Sequence, residues 1–104
     1  MRPVRFLAAA AEEAEAAADW YTRERRELGA DFEGELDAAV ARMAERPEAC
    51  PRHPHVSVRG DVRRQFLRRF PYQLVFVERD GVLIVLAVAH LAKRPGYWKQ
   101  RLRD

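Results

Sequence analysis

Residues 62–98 read VRRQFLRRFPYQLVFVERDGVLIVLAVAHLAKRPGYW, and the elements in this stretch decide the fold. Its centre is a hairpin. Residues 72–78 and 82–90 are rich in apolar and β-branched side chains. Asp80-Gly81 between them is a dipeptide that tolerates the positive φ angles of a tight hairpin turn. Every residue from 82 to 89 is apolar, which predicts a central strand covered on both faces. Upstream, residues 62–69 read as a third strand with poor alternation. Arg63, Gln65, Leu67 and Arg69 fall on one face, and Arg64, Phe66, Arg68 and Phe70 on the other. Arginine on both faces fits an edge strand or a binding surface. Phe70-Pro71 marks the next turn. Downstream, Pro95 and Gly96 break the chain, and residues 97–102 suit one helical turn.

Working back towards the N-terminus, residues 47–61 (PEACPRHPHVSVRGD) read as a loop rich in Pro, His and Gly. Before it lies a helical half. Val4, Phe6 and Ala8 alternate with Arg5 and Leu7 behind a proline, a short strand pattern. Residues 9–26 hold Ala, Glu and Arg with no Gly or Pro, which is strong helix composition. Ala10, Ala14, Ala17, Ala18 and Tyr21 form a stripe of mostly small residues that admits close approach. Leu28-Gly29 is expected to end this helix, with Gly29 as a left-handed cap. Asp31 is expected to cap a second helix, in which Phe32, Leu36, Ala39, Val40 and Met43 recur at helical spacing. Pro47 stops it. So short a connection predicts an antiparallel helix hairpin. The order strand, helix, helix, three strands is that of an α+β domain, with the hairpin packed on a small, mostly antiparallel sheet. A chain of 104 residues is expected to form one domain over 1–104.

Composition narrows the function classes. No apolar run approaches the ~20 residues of a membrane helix. MRPVRF lacks the long apolar region of a secretory signal. One cysteine, Cys50, makes no internal disulfide. A cytoplasmic protein is expected. The net charge of +3 conceals two unlike halves. Residues 1–50 hold 7 basic and 12 acidic side chains, a net of −5, whereas residues 51–104 hold 12 and 4, a net of +8. An anionic partner for the basic half is one reading, and neutralisation across the fold is the other.

Arg63, Arg64, Arg68, Arg69, Lys93 and Arg94 carry the excess. Arginine clamps phosphates and carboxylates alike, because its fork is bidentate and permanently charged. Surface ion pairs add little stability, so stability alone is a poor reason for the cluster. His90, at the end of the most apolar strand, suits a general acid or base, or else a ring that caps the core. Tyr97 and Trp98 can stack on a base or anchor a protein interface. Of the two, Trp98 is expected mainly in the core and Tyr97 exposed. Trp20 and Tyr21 read as interface or core aromatics. Cys50, His53 and His55 have metal-capable side chains but no evident fourth ligand, and no metal or cofactor is expected. No phosphate loop, nucleophile elbow or paired-carboxylate pattern is present.

Trp20-Tyr21, Leu28-Gly29, Phe32, Glu35-Leu36, Ala39 and Arg46-Pro47 resemble the helical half of the RelE/ParE toxins of bacterial type II toxin–antitoxin systems. Val62-Arg63-Arg64, Arg69-Phe70-Pro71-Tyr72 and His90-x-x-x-Arg94-Pro95-x-x-Trp98 are similar to the ParE-like, plasmid-stabilisation branch. The likeness spans nearly the whole chain in order. It implies a toxin neutralised by a cognate antitoxin that carries its own DNA-binding domain. Two outputs are known in the family. ParE-like members poison DNA gyrase without hydrolysis, and RelE-like members cleave mRNA on the ribosome with basic residues and a C-terminal tyrosine. For cleavage the resemblance implies Arg64, Arg69, His90 and Tyr97. For target or antitoxin binding it implies Arg63, Arg64, Arg68, Arg69, Lys93, Arg94, Tyr97 and Trp98. The outputs differ on whether the chain is an enzyme. Gln73 in Tyr72-Gln73-Leu74-Val75-Phe76 stands where a cleaving relative carries arginine, and glutamine cannot stabilise developing phosphorane charge in the same way. Arg94 stands where ParE-like relatives often have aspartate. Gyrase inhibition is therefore the first expectation and mRNA cleavage the alternative. A toxin fold retained as a binding module without toxicity is a third.

Overall fold

The computed structural model describes residues 1–54 and 61–103. His55 lies outside the described residues. The chain forms β1 (Val4–Phe6), α1 (Ala8–Glu24), α2 (Arg26–Glu45), β2 (Arg63–Phe66), β3 (Tyr72–Arg79) and β4 (Val82–His90), with short 3₁₀ turns at Pro47–Ala49 and Lys99–Arg103. The sheet order is β1-β4-β3-β2. β1 runs parallel to β4, and the other neighbours are antiparallel. This is the α+β arrangement expected, with helices on one face of a four-stranded, mostly antiparallel sheet.

Alternation along the central strands divides two apolar layers. Leu74 and Phe76 of β3 and Leu83, Val85 and Val88 of β4 meet Ala10, Ala17, Phe32, Ala39 and Met43 of the helices. Val75, Val77, Ile84, Leu86 and Ala89 face the other way, where Trp98 of the C-terminal segment covers them. Every residue from Leu83 to Ala89 is buried, as the unbroken apolar run requires. The hairpin turns on Asp80 (φ 52°) and Gly81 (φ 80°), the two positive angles that a right-twisted hairpin needs. β4 carries a bulge. Val75 pairs with Ala87 and Phe76 with Val85, so Leu86 is an extra residue.

Three expectations change. The first helix ends at Arg25, whose extended backbone (φ −159°, ψ 137°) separates α1 from α2, and not at Leu28-Gly29. Gly29 lies inside α2 and is buried; a Cβ there would sit 1.8 Å from Thr22 Oγ1 and 3.2 Å from the Ala18 carbonyl oxygen. It is a close-approach glycine and not a cap. Asp31 is likewise interior to α2, where it pairs with Arg69 at 3.3 Å. Finally, β2 stops at Phe66, so Arg68 and Arg69 belong to the following turn. Arg69 has φ 70° there. β2 is last in the sheet, but residues 51–53 run along its outer side. The His53 N–H donates to the Val62 carbonyl at 2.8 Å and the Arg64 N–H to that of Pro51 at 3.0 Å.

Candidate functional site

Two hollows meet where β4 ends and the C-terminal segment begins. One, of about 290 Å³, is basic, with Arg64, Gln73, His90, Lys93 and Arg94 on its wall. The other, of about 390 Å³, lies between α1 and the sheet and is mainly apolar, with Ala16, Ala17, Trp20, Tyr72 and Val88. His90, Lys93 and Tyr97 line both and form the ridge between them.

The ridge exists because of what happens beside β4. β1 is three residues long and stops at Phe6, after which the Leu7 N–H reaches the Val85 carbonyl at 3.0 Å. Beyond that point two side chains satisfy the strand. Glu13 Oε1 accepts from the Val88 N–H at 3.0 Å, and the Arg101 guanidinium donates to the Leu86 carbonyl at 2.9 Å. Glu13 and Arg101 are themselves joined by two bonds of 3.0 and 3.1 Å. Tyr97 completes the group, its hydroxyl donating to Glu13 Oε2 at 2.7 Å. The Glu13 carboxylate thus ties α1, β4 and the C-terminal segment together. Burial, and then the Glu13 bond and charge, push the Tyr97 phenol well above its ordinary value. Its proton is held firmly, so it makes a poor general base.

The proposed residues separate accordingly. Arg64 stands half-buried in the basic hollow. It donates to Gln73 Oε1 over a long 3.4 Å, its guanidinium lies 4.8 Å from the Phe66 ring, and its buried Nε has no acceptor among the described residues. Arg63 points elsewhere. It bonds Asp61 at 2.7 Å and the carbonyls of Glu48 and Cys50 at 3.0 and 2.6 Å, and so fastens the loop to β2. Arg69 pairs with Asp31 and lies over Phe70, outside the hollow. Arg68 is exposed on the same turn. His90 sits on the ridge, its Nδ1 accepting from the Ala92 N–H at 3.0 Å and its ring 5.0 Å from that of Tyr72. The Lys93 amine lies 5.6 Å from the Tyr97 ring, and Arg94 is exposed at the rim.

The two tail aromatics take different roles. Trp98 is 1% exposed, with its ring 5.2 Å from that of His53. It is core and offers no face to a partner. Tyr97 is half-buried, not the exposed ring expected. Of the four residues named for cleavage, Arg64, His90 and Tyr97 share the hollow and Arg69 does not. Among the described residues no cluster of three or more metal-ligating side chains occurs.

Sequence reasoning missed Glu13 and Arg101. Glu13 is one acid among several on a helix, and nothing local marks it. Trp20 was legible as an aromatic but not as the 51%-exposed wall of a groove.

With this geometry in view, the family is clear. The chain belongs to the ParE toxins of type II toxin–antitoxin systems (parDE), whose family model matches residues 4–95. Among solved structures it is similar to a chain of the chromosomal ParDE system from P. aeruginosa, at 20% identity. That match covers 86% of this chain and 96% of the other with a TM-score of 0.72, and it shows a shared fold. Comparison with curated proteins returns no match. Tyr97, Trp98 and Arg101 lie beyond the matched span, so their roles rest on the contacts above.

Proposed function

We propose that residues 1–104 act as a single toxin domain that arrests growth in the cytoplasm by binding DNA gyrase without hydrolysis, and that a cognate antitoxin silences it. The carrying observation is the basic hollow itself. It offers cations for gripping an acidic surface, yet a cleaving constellation is incomplete. Gln73 replaces the strand arginine of nuclease relatives, Arg69 is turned towards Asp31, and the proton of Tyr97 is committed to Glu13. Purified toxin is expected to inhibit supercoiling by gyrase at concentrations that stop growth. Unimpaired supercoiling at those concentrations sinks this reading.

The alternative, ribosome-dependent mRNA cleavage, draws on Arg64 and His90 facing one hollow. Intact ribosome-bound mRNA after toxin induction would exclude it. No helix among the described residues is long and apolar enough to cross a membrane.

A further inference from the structure

The tip of the helix hairpin and the turn between β2 and β3 lie against one another. The Tyr21 ring, near the end of α1, meets that of Phe70 edge-on at 4.9 Å, and Asp31 of α2 pairs with Arg69 at 3.3 Å. Five arginines gather there: Arg23, Arg25 and Arg26 at the tip, and Arg68 and Arg69 on the turn. We propose that this cationic end binds the sugar-phosphate backbone of duplex DNA without reading its sequence. The proposal goes beyond the gyrase reading and does not depend on it.

Ion pairing sets this end apart. At the other end of the sheet, Arg2 is paired with Glu78, and Arg52 and Arg63 with Asp61. Of the five, only Arg69 has a carboxylate. Arg23, Arg25, Arg26 and Arg68 are exposed, and none makes an ion pair among the described residues. Glu24 and Glu27 are close in sequence but bond none of them. A guanidinium is permanently charged, and its planar fork matches a phosphate.

The surroundings choose among anions. None of the five lines either hollow. The large apolar side chains left exposed near this end, Trp20, Phe66 and Leu91, belong to the linings of the hollows instead. A protein interface needs an apolar centre, and a lipid surface needs side chains to insert. A single strand needs rings to stack on. The ring nearest the tip, Tyr21, is already stacked on Phe32 at 5.4 Å and edge-on to Phe70. Backbone contact with a duplex needs only exposed, permanent cations on fixed elements. Because the tip shares none of these arginines with the hollows, one toxin molecule can hold a protein at the hollows and DNA at the tip.

The test is fluorescence anisotropy of purified toxin with a short labelled duplex of mixed sequence, repeated over a salt series. Binding is expected at low salt, with log Kd rising against log salt at a slope of about 0.9 for each phosphate engaged. Arg25→Gln, Arg26→Gln and Arg68→Gln are each expected to weaken binding several-fold and to lower that slope by about 1. Arg5→Gln removes the same charge from an exposed site on β1 and leaves the slope unchanged. If one tip variant does not fold, the other two carry the test. No duplex binding at low salt, or equal losses from Arg5→Gln, overturns the proposal. A loss confined to Arg64→Gln places the phosphates in the basic hollow and also overturns it. So does tighter binding to single strands or to phosphatidylglycerol vesicles than to the duplex. No gyrase is present in this titration, so its failure leaves the gyrase reading to the supercoiling assay.

Discussion

A methyl group at position 29 has nowhere to go. The ideal Cβ would lie 3.0 Å from Thr22 Cβ as well as against its hydroxyl, and that hydroxyl is held by its 2.8 Å bond to the Ala18 carbonyl. Gly29→Ala is expected to cost about 1–3 kcal/mol in urea unfolding, the usual range for overpacking. Combining it with Thr22→Ala should recover part of the loss. The remainder reflects the Ala18 backbone oxygen, which does not move aside. The tyrosines make a second prediction. Burial raises the phenols of Tyr21, Tyr72 and Tyr97 above their ordinary value, with Glu13 adding to the last. The folded state therefore holds these protons more tightly than the unfolded chain. Their contribution is complete below about pH 10, where unfolded tyrosine titrates, and is lost as pH rises beyond it. Denaturation midpoints should fall in that alkaline range. Glu13→Gln should bring some phenolate absorbance to lower pH.

At the scale of elements, a short strand is extended by side chains. Where β1 ends, Glu13 and Arg101 take over the N–H of Val88 and the carbonyl of Leu86. Glu13→Ala leaves a guanidinium with only 19% of its side chain exposed and no acid partner. A loss of about 2–4 kcal/mol is expected, somewhat below that of a fully buried pair. Amide exchange should accelerate first in residues 97–103, which this carboxylate anchors. Gly81→Ala is a smaller change. Open space surrounds the site, so the cost is that of a positive φ alone, about 1–2 kcal/mol. The contrast shows what was readable in the sequence. The hairpin was legible because its signals are local: an Asp-Gly turn between apolar runs. The reversal at Arg25 was not, because nothing in that side chain breaks a helix. It goes with the packing of two helices that leaves no room for a side chain at Gly29. Glu13 and Arg101 are far apart in the chain and only the fold makes them partners. Arg64 was legible as one of a cluster, but only the partners that the fold supplies distinguish it from Arg63.

For the whole molecule, the division into an acidic helical half and a basic sheet half sets long-range behaviour. A net of −5 over residues 1–50 and +8 over residues 51–104 gives the surface a strong dipole. Association with an acidic partner should slow markedly as salt is raised, since the field that steers encounter is screened beyond ~10 Å at 0.1 M. Thermal stability should change much less, because the two apolar layers carry it and the exposed ion pairs contribute little. Stopped-flow association and melting curves over the same salt series would separate the two effects.

The parallel pairing of β1 with β4 has a consequence for the manufacture of the protein. Val4 finds its partner in Leu83, so the first strand waits on the fourth. Until β4 emerges, β1 has no neighbour, β3 has only β2 beside it, and the helix hairpin has no finished sheet to cover. A nascent chain released at Gly81 should show helical signal without cooperative unfolding. The ridge and both hollows draw on residues from 88 onward. The surface able to grip a partner is therefore completed only after β4 has been made, so a chain stopped before β4 is unarmed.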